Sequence, residues 1–139
     1  MADTLATLVR LSKHKVERAQ EALAEAEAVR LDLVRRLEEV QLARREALAS
    51  VVVADDAASR LDAGRYDARL KHTAEKLVGE IALCEQEIEV RREALRGLFA
   101  EQKRYEVLLE QERLKVAKRR AGKQQGVLDE VAGMRWRRE

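Results

Sequence analysis

The 139-residue chain contains no proline, six glycines and one cysteine, and its only aromatic side chains are Tyr66, Phe99, Tyr105 and Trp136. Proline and glycine shape tight turns, so their scarcity removes the punctuation that a many-stranded fold requires. The β-branched and aromatic runs that build a sheet face are missing as well, which excludes all-β and α/β architectures. Cys84 stands alone, which excludes a disulfide within the chain and fits a reducing compartment, the cytoplasm. No uninterrupted apolar run is long enough for a membrane span or a signal-peptide core. His14 and His72 lie far apart without zinc-ligand spacing, and no Walker A, H-E-x-x-H or G-x-S-x-G pattern occurs. The expectation is a protein without catalysis, metal or cofactor.

What the chain does have is charge and helix formers: 39% of residues are charged and 46% hydrophobic. Such a composition marks long helices or a coiled coil, and the expected product is a rod. Stepping by four and three from Leu5 meets Val9, Ser12, Val16, Ala19, Leu23, Ala26, Arg30, Leu33, Leu37, Val40, Arg44, Ala47 and Val51, a heptad seam broken only at Ser12, Arg30 and Arg44. Restarting at Leu70 meets Ala74, Leu77, Ile81, Cys84, Ile88, Arg91, Leu95, Leu98, Gln102, Tyr105, Leu109, Glu112 and Val116. Between the seams, Asp55, Asp56, Ser59, Asp62 and Gly64 collect, residues that bend or bond their own backbone.

Two matched apolar stripes satisfy one another most simply as an antiparallel helical hairpin, since neither can remain in water. The fold class is therefore all-α, a long two-helix antiparallel coiled-coil hairpin with a C-terminal helical overhang. The single unit 1–139 divides into helix 1 over about 5–53, a turn over about 54–65, helix 2 over about 66–121 and an extension over 122–139. Asp3 or Thr4 is placed to cap helix 1. Each arm of about 47 residues spans roughly 70 Å. The alternative is one continuous helix that dimerises.

The net charge of +2 conceals an asymmetry: residues 113–139 hold nine Lys or Arg against three acids, a local +6 that leaves residues 1–112 at −4. In a hairpin, the run Arg113, Lys115, Lys118, Arg119, Arg120 and Lys123 lies near Arg10, Lys13, Lys15 and Arg18, so the open end collects the cations of both strands. Such an end seeks an acidic surface. Nucleic acid is not the expected partner, because aromatic interleaving and any recognisable nucleic-acid motif are lacking. Gly122, Gly126 and Gly133 each cost about 1 kcal/mol against alanine in a helix, so the extension is expected to be loose by itself. Val127, Leu128, Val131, Met134 and Trp136 nevertheless give it an amphipathic spacing suited to a partner's groove. The polar seam positions Arg30, Arg44, Arg91, Gln102 and Glu112 are expected to set register, and Cys84 to act as a small buried hydrophobe.

The segment KRYEVLLE, followed about a dozen residues later by KQQGVLDEVA, resembles the C-terminal pattern of the FliJ family of bacterial flagellar export proteins. The start LATLVRLSKHKVERAQEAL and the entry to the second helix, GRYDARL, resemble that family too, so the likeness covers most of the chain. The glycines of the extension are the departure from the family pattern.

The resemblance implies a non-enzymatic stalk that docks in the pore of the hexameric type III export ATPase, reaches the cytoplasmic domain of the export gate, and escorts export chaperones. Carried onto this chain, Arg10, Lys13, Arg113, Lys118, Arg119, Arg120, Leu128 and Val131 would face the ATPase, and Leu42, Tyr66 and Leu70 the gate. It also implies a monomeric hairpin held at the inner face of the cell membrane through the export apparatus. The rival readings are an injectisome stalk of the YscO-like kind, a plain coiled-coil scaffold or dimerisation protein, and a basic-tailed binder of nucleic acid or membrane surfaces.

Overall fold

The structure, a computed structural model, describes residues 1–138. It contains two helices, α1 (Ala2–Val53) and α2 (Ala57–Arg138), and no strand among the described residues. The all-α, two-helix expectation holds. The ends of the helices differ from it in three places.

First, α1 begins before Asp3 and Thr4, and the Leu5 amide bonds the Met1 carbonyl at 3.0 Å. Neither residue is the cap. Asp3 instead lies in the first turn, where its negative charge offsets the positive end of the helix dipole. Second, the turn expected over 54–65 is confined to residues 54–56. Asp56 caps α2: its carboxylate accepts a bond from the Ser59 amide at 2.5 Å, which satisfies one of the free donors of the first turn. That bond holds the Asp56 carboxyl below its ordinary pKa. Arg60 donates from Nε to the Ala54 carbonyl at 3.1 Å, closing the turn from the other side. Residues 57–65, rich in alanine and arginine, then propagate as helix, and Gly64 is accommodated with ordinary helical φ.

Third, α2 continues through the extension to Arg138 with Gly122, Gly126 and Gly133 all helical. Between the glycines stand Lys, Gln, Leu, Glu and Ala, strong helix formers, beside two Val and one Asp, and Gln125 bonds Asp129 one turn on at 3.1 Å. Spread over such neighbours, the glycine penalties do not end the helix. Glu139, the last residue of the expected extension, lies outside the described residues.

The chain divides into two compact units, one formed by Arg18–Leu95 and the other by Met1–Glu17 with the segment from Arg96 onward. The Arg18–Leu95 unit holds the turn, and in it α1 and α2 run antiparallel: Arg91 reaches Ala22, Cys84 reaches Ala26, Arg30 reaches Glu85, and Arg44 reaches Asp67. Its core is Ala26, Leu33, Leu77, Cys84 and Ile88, with Leu23, Leu37, Val40 and Ile81 packed against it. Alanine and cysteine let the backbones approach closely, so that the Cys84 thiol lies 3.4 Å from the Ala26 carbonyl and the Arg91 guanidinium bonds the Ala22 carbonyl at 2.9 Å. In the other unit, Val9, Ser12, Val16 and Leu109 are buried. Ser12, only 2% exposed, donates its hydroxyl to the Val9 carbonyl at 2.7 Å, so this polar break in the seam leaves no unpaired group.

Among the described residues, all eleven that are buried belong to the two heptad ladders. A buried aliphatic side chain contributes about 1.5 to 3 kcal/mol, so the seam is where stability resides. Ile88, 4% exposed, and Val90, 68% exposed, are two positions apart on α2. Truncating Ile88 to alanine should destabilise the protein by about 2 to 5 kcal/mol, whereas Val90→Ala should change stability by under about 0.5, read from chemical denaturation. Equal effects at both sites would mean the seam faces elsewhere.

The polar seam residues are tied across it or along their own helix. Arg44 Nε lies 3.0 Å from Asp67, whose side chain is 17% exposed, and Arg91 holds both Glu87 at 2.7 Å and the Ala22 carbonyl. Arg30, although on the ladder, is exposed and meets Glu85 at 3.1 Å at the margin of the seam. A shift of one heptad would strand these charges, which makes them markers of register. Arg44→Asp should therefore destabilise the hairpin, and adding Asp67→Arg should recover about 0.5 to 1 kcal/mol of the loss in a double-mutant cycle. No recovery in the double variant would show that the pair does not set register.

Candidate functional site

The Met1–Glu17 segment of α1 lies against α2 so that Ala6, Val9, Arg10 and Lys13 share a groove with Glu106, Leu109, Glu110 and Arg113. Val9 and Leu109 are seam residues, and their burial fixes the floor. Arg10, Lys13 and Arg113 are exposed on the walls because each stands one position after a seam residue. Three of the sequence-predicted site residues are thus brought together by the pairing itself. Heptad reading missed the two glutamates that join them, since flanking acids carry no periodic signal. Glu106 accepts a bond from Gln102 at 3.0 Å, so part of its negative charge is engaged along its own helix.

Lys118, Arg119 and Arg120 follow on α2, all exposed, beyond the last half-buried seam residue, Val116. Leu128 and Val131 lie further along, exposed, with Lys123, Gln124, Val127 and Leu128 forming a shallow apolar surface. From Arg113 of the groove onward, these residues therefore form a graded series along α2 rather than one pocket. In it, cations precede apolar side chains, and the mixed charges of Asp129, Glu130, Arg135, Arg137 and Arg138 surround the latter.

The second predicted set lies in the Arg18–Leu95 unit. Leu42 is half exposed on α1, and Tyr66 is exposed on α2 with the Arg69 guanidinium 5.9 Å from its ring centre. Leu70 is half-buried and belongs to the seam, so only part of it is open to a partner. Around the turn, Leu48, Val52, Val53 and Leu61 are exposed as well, Val52 to 85%. Val52, Val53 and Leu61 fall in the stretch read as a polar break, and Leu48 lies off the heptad ladder, so none of them carries a periodic signal.

His14 is exposed beside Glu17, at 3.7 Å, and His72 is exposed. Among the described residues no cluster of histidine, cysteine and carboxylate side chains has the arrangement of a metal site. Among them, too, no helix is long and apolar enough to cross a membrane. These residues offer surfaces for recognition: an apolar floor, walls of three cations and two carboxylates, and a helical extension.

No curated protein and no solved structure matches the chain significantly. The family model described as Flagellar FliJ protein matches residues 1–139, from the first seam through the turn to the basic end of α2. The chain belongs to the FliJ family and is a flagellar export-associated protein.

Proposed function

We propose that the chain is the stalk of the flagellar export apparatus, with Arg10, Lys13, Arg113, Lys118, Arg119 and Arg120 docking it in the hexameric export ATPase. Leu128 and Val131 add apolar contact inside the ring. Around the turn, Leu42, Tyr66 and the open edge of Leu70 meet the cytoplasmic domain of the export gate, and the exposed helix faces receive export chaperones. The protein works as a single chain beside the inner face of the membrane, held there by the apparatus, and it catalyses nothing itself.

The observation that carries this reading is the groove of Arg10, Lys13 and Arg113 over the Val9–Leu109 floor, followed by an exposed cationic run on α2. Cations on a defined apolar edge suit an acidic, partly apolar pore, where opposite charge steers encounter and apolar contact prolongs it. A helix pair without six-fold symmetry contacts six subunits unequally. Unequal contact shifts the subunit equilibrium by the difference in binding energy between conformations, and that suffices to coordinate hydrolysis without an active site.

Reversing charge at Arg113, Lys118, Arg119 and Arg120 together should weaken binding to the purified export ATPase by roughly tenfold or more and abolish its stimulation. Helicity should be retained, because all four side chains are exposed. Raising salt should weaken the wild-type contact mainly through a slower association rate. A variant that stays helical and still stimulates the ATPase like wild type would remove the assignment of this end to the ring.

A further inference from the structure

Opposite charges meet across the helix pair in both units, with different outcomes. In the Arg18–Leu95 unit they close: Arg30 lies 3.1 Å from Glu85, Arg44 3.0 Å from Asp67 and Arg92 3.6 Å from Glu27, each pair joining α1 to α2. In the groove of the other unit, α1 supplies Arg10 and Lys13 and α2 supplies Glu106 and Glu110, yet no ion pair forms between them among the described residues. Arg10 donates instead to the Thr7 hydroxyl on its own helix at 3.4 Å, and Glu106 accepts from the Gln102 amide at 3.0 Å. Ala6 contributes only a methyl group to the rim, so the cleft keeps a volume of about 400 Å³, near the low end of small-ligand clefts, which run from roughly 300 Å³ upward.

Glu106, Glu110 and Arg113 stand at intervals of four and three on α2, and Ala6, Arg10 and Lys13 repeat those intervals on α1, so each set shares one helix face. Burial of Val9 and Leu109 holds the two faces together. A surface carrying acids alone is a poor match to the result. Each glutamate would repel it and weaken the steering that the three cations provide. A surface with one basic side chain among its acids satisfies both signs, and the same pattern rejects surfaces of a single sign.

We propose that Glu110 is a specificity residue of the ATPase contact, accepting a lysine or arginine that an otherwise acidic segment of a ring subunit inserts into the cleft, while Arg10, Lys13 and Arg113 take the carboxylates around it. The inference rests on the assignment of this end of the molecule to the export ATPase. Glu106, half-buried and held by Gln102, borders the same position and adds to its negative charge. Insertion of the basic side chain displaces water from the cleft, which strengthens a charge-assisted bond to the Glu110 carboxylate.

The test is the sign of the effect when the acid is removed. In the full chain, Glu110→Gln should weaken binding to the purified export ATPase by about threefold and Glu110→Lys by at least about tenfold, whereas removing an acid that merely opposes the ring would tighten it. Glu25→Lys, the same charge change at an exposed residue of the Arg18–Leu95 unit, should cause no loss. Helicity and thermal unfolding of both Glu110 variants should match wild type, because the side chain is exposed and bonds no other group among the described residues. Unchanged or tighter binding by either Glu110 variant would overturn the proposal, as would an equal loss from Glu25→Lys. A fall in helicity with Glu110→Gln would show a structural role and overturn it too. Reversal of Arg113, Lys118, Arg119 and Arg120 in the same assay separates the two levels. If that reversal weakens binding and the Glu110 variants do not, the docking assignment stands and the role of Glu110 fails. If the reversal leaves binding at the wild-type level, the docking assignment fails and this inference with it.

Discussion

Two apolar stripes that cannot remain in water, and that have only each other to lie against, are the constraint on which everything else in this molecule rests. The helices supply propensity but little independent stability, because most of a helix's stability in a protein comes from burying one face. Here that face is narrow. In the Arg18–Leu95 unit it is made of Ala26, Leu33, Leu77, Cys84 and Ile88, small and branched side chains alternating so that the backbones approach. In the other unit it is made of Val9, Ser12, Val16 and Leu109. No residue is shielded by more than the opposite helix, so deleting one seam contact removes a large share of the local burial.

Because the seam uses so few positions, the rest of each helix is free to carry charge. The basic groove is a direct product of this economy: Val9 and Leu109 hold the two chain segments together, and Arg10, Lys13 and Arg113 are carried to its walls as sequence neighbours or near neighbours of seam residues. The same logic gives Arg44 and Arg91 their place. Each sits on the ladder where an apolar side chain would stabilise more, and each is satisfied across the interface, by Asp67 or by the Ala22 carbonyl. Polar residues at such positions exchange stability for a defined alignment. A defined alignment is what a protein acting through its surface requires, since the groove exists only in one register.

Much of this was legible in the sequence, and the reason is that period is a robust signal. The four-and-three ladder from Leu5 and the second from Leu70 include every residue buried among those described, so the core face is legible in the period alone, although not which ladder positions are fully covered. Helix ends were less legible because they are decided by a competition among a few weak bonds. Asp55, Asp56, Ser59, Asp62 and Gly64 read collectively as a long turn, whereas Asp56 alone captures the Ser59 amide and starts α2 at Ala57. The extension reads as a helical overhang loosened by its glycines, and α2 does continue to Arg138, without a break at residue 121, because the glycine cost is spread among strong helix formers. Of the candidate site, the cations of the groove were found from charge clustering combined with the hairpin. Glu106 and Glu110, and the apolar side chains around the turn, were not, because residues outside the seam have no period to betray them.

The pairing of α1 with α2 inside one chain is the claim from which both the groove and the register descend. It is tested most directly by following thermal unfolding by circular dichroism over about a hundredfold range of protein concentration. Pairing in cis is unimolecular, so the midpoint should be the same at every concentration and the unfolding species should have the 15.9 kDa mass of one chain. A midpoint that rises steadily with concentration would mean that the stripes are satisfied between chains, and would contradict the account.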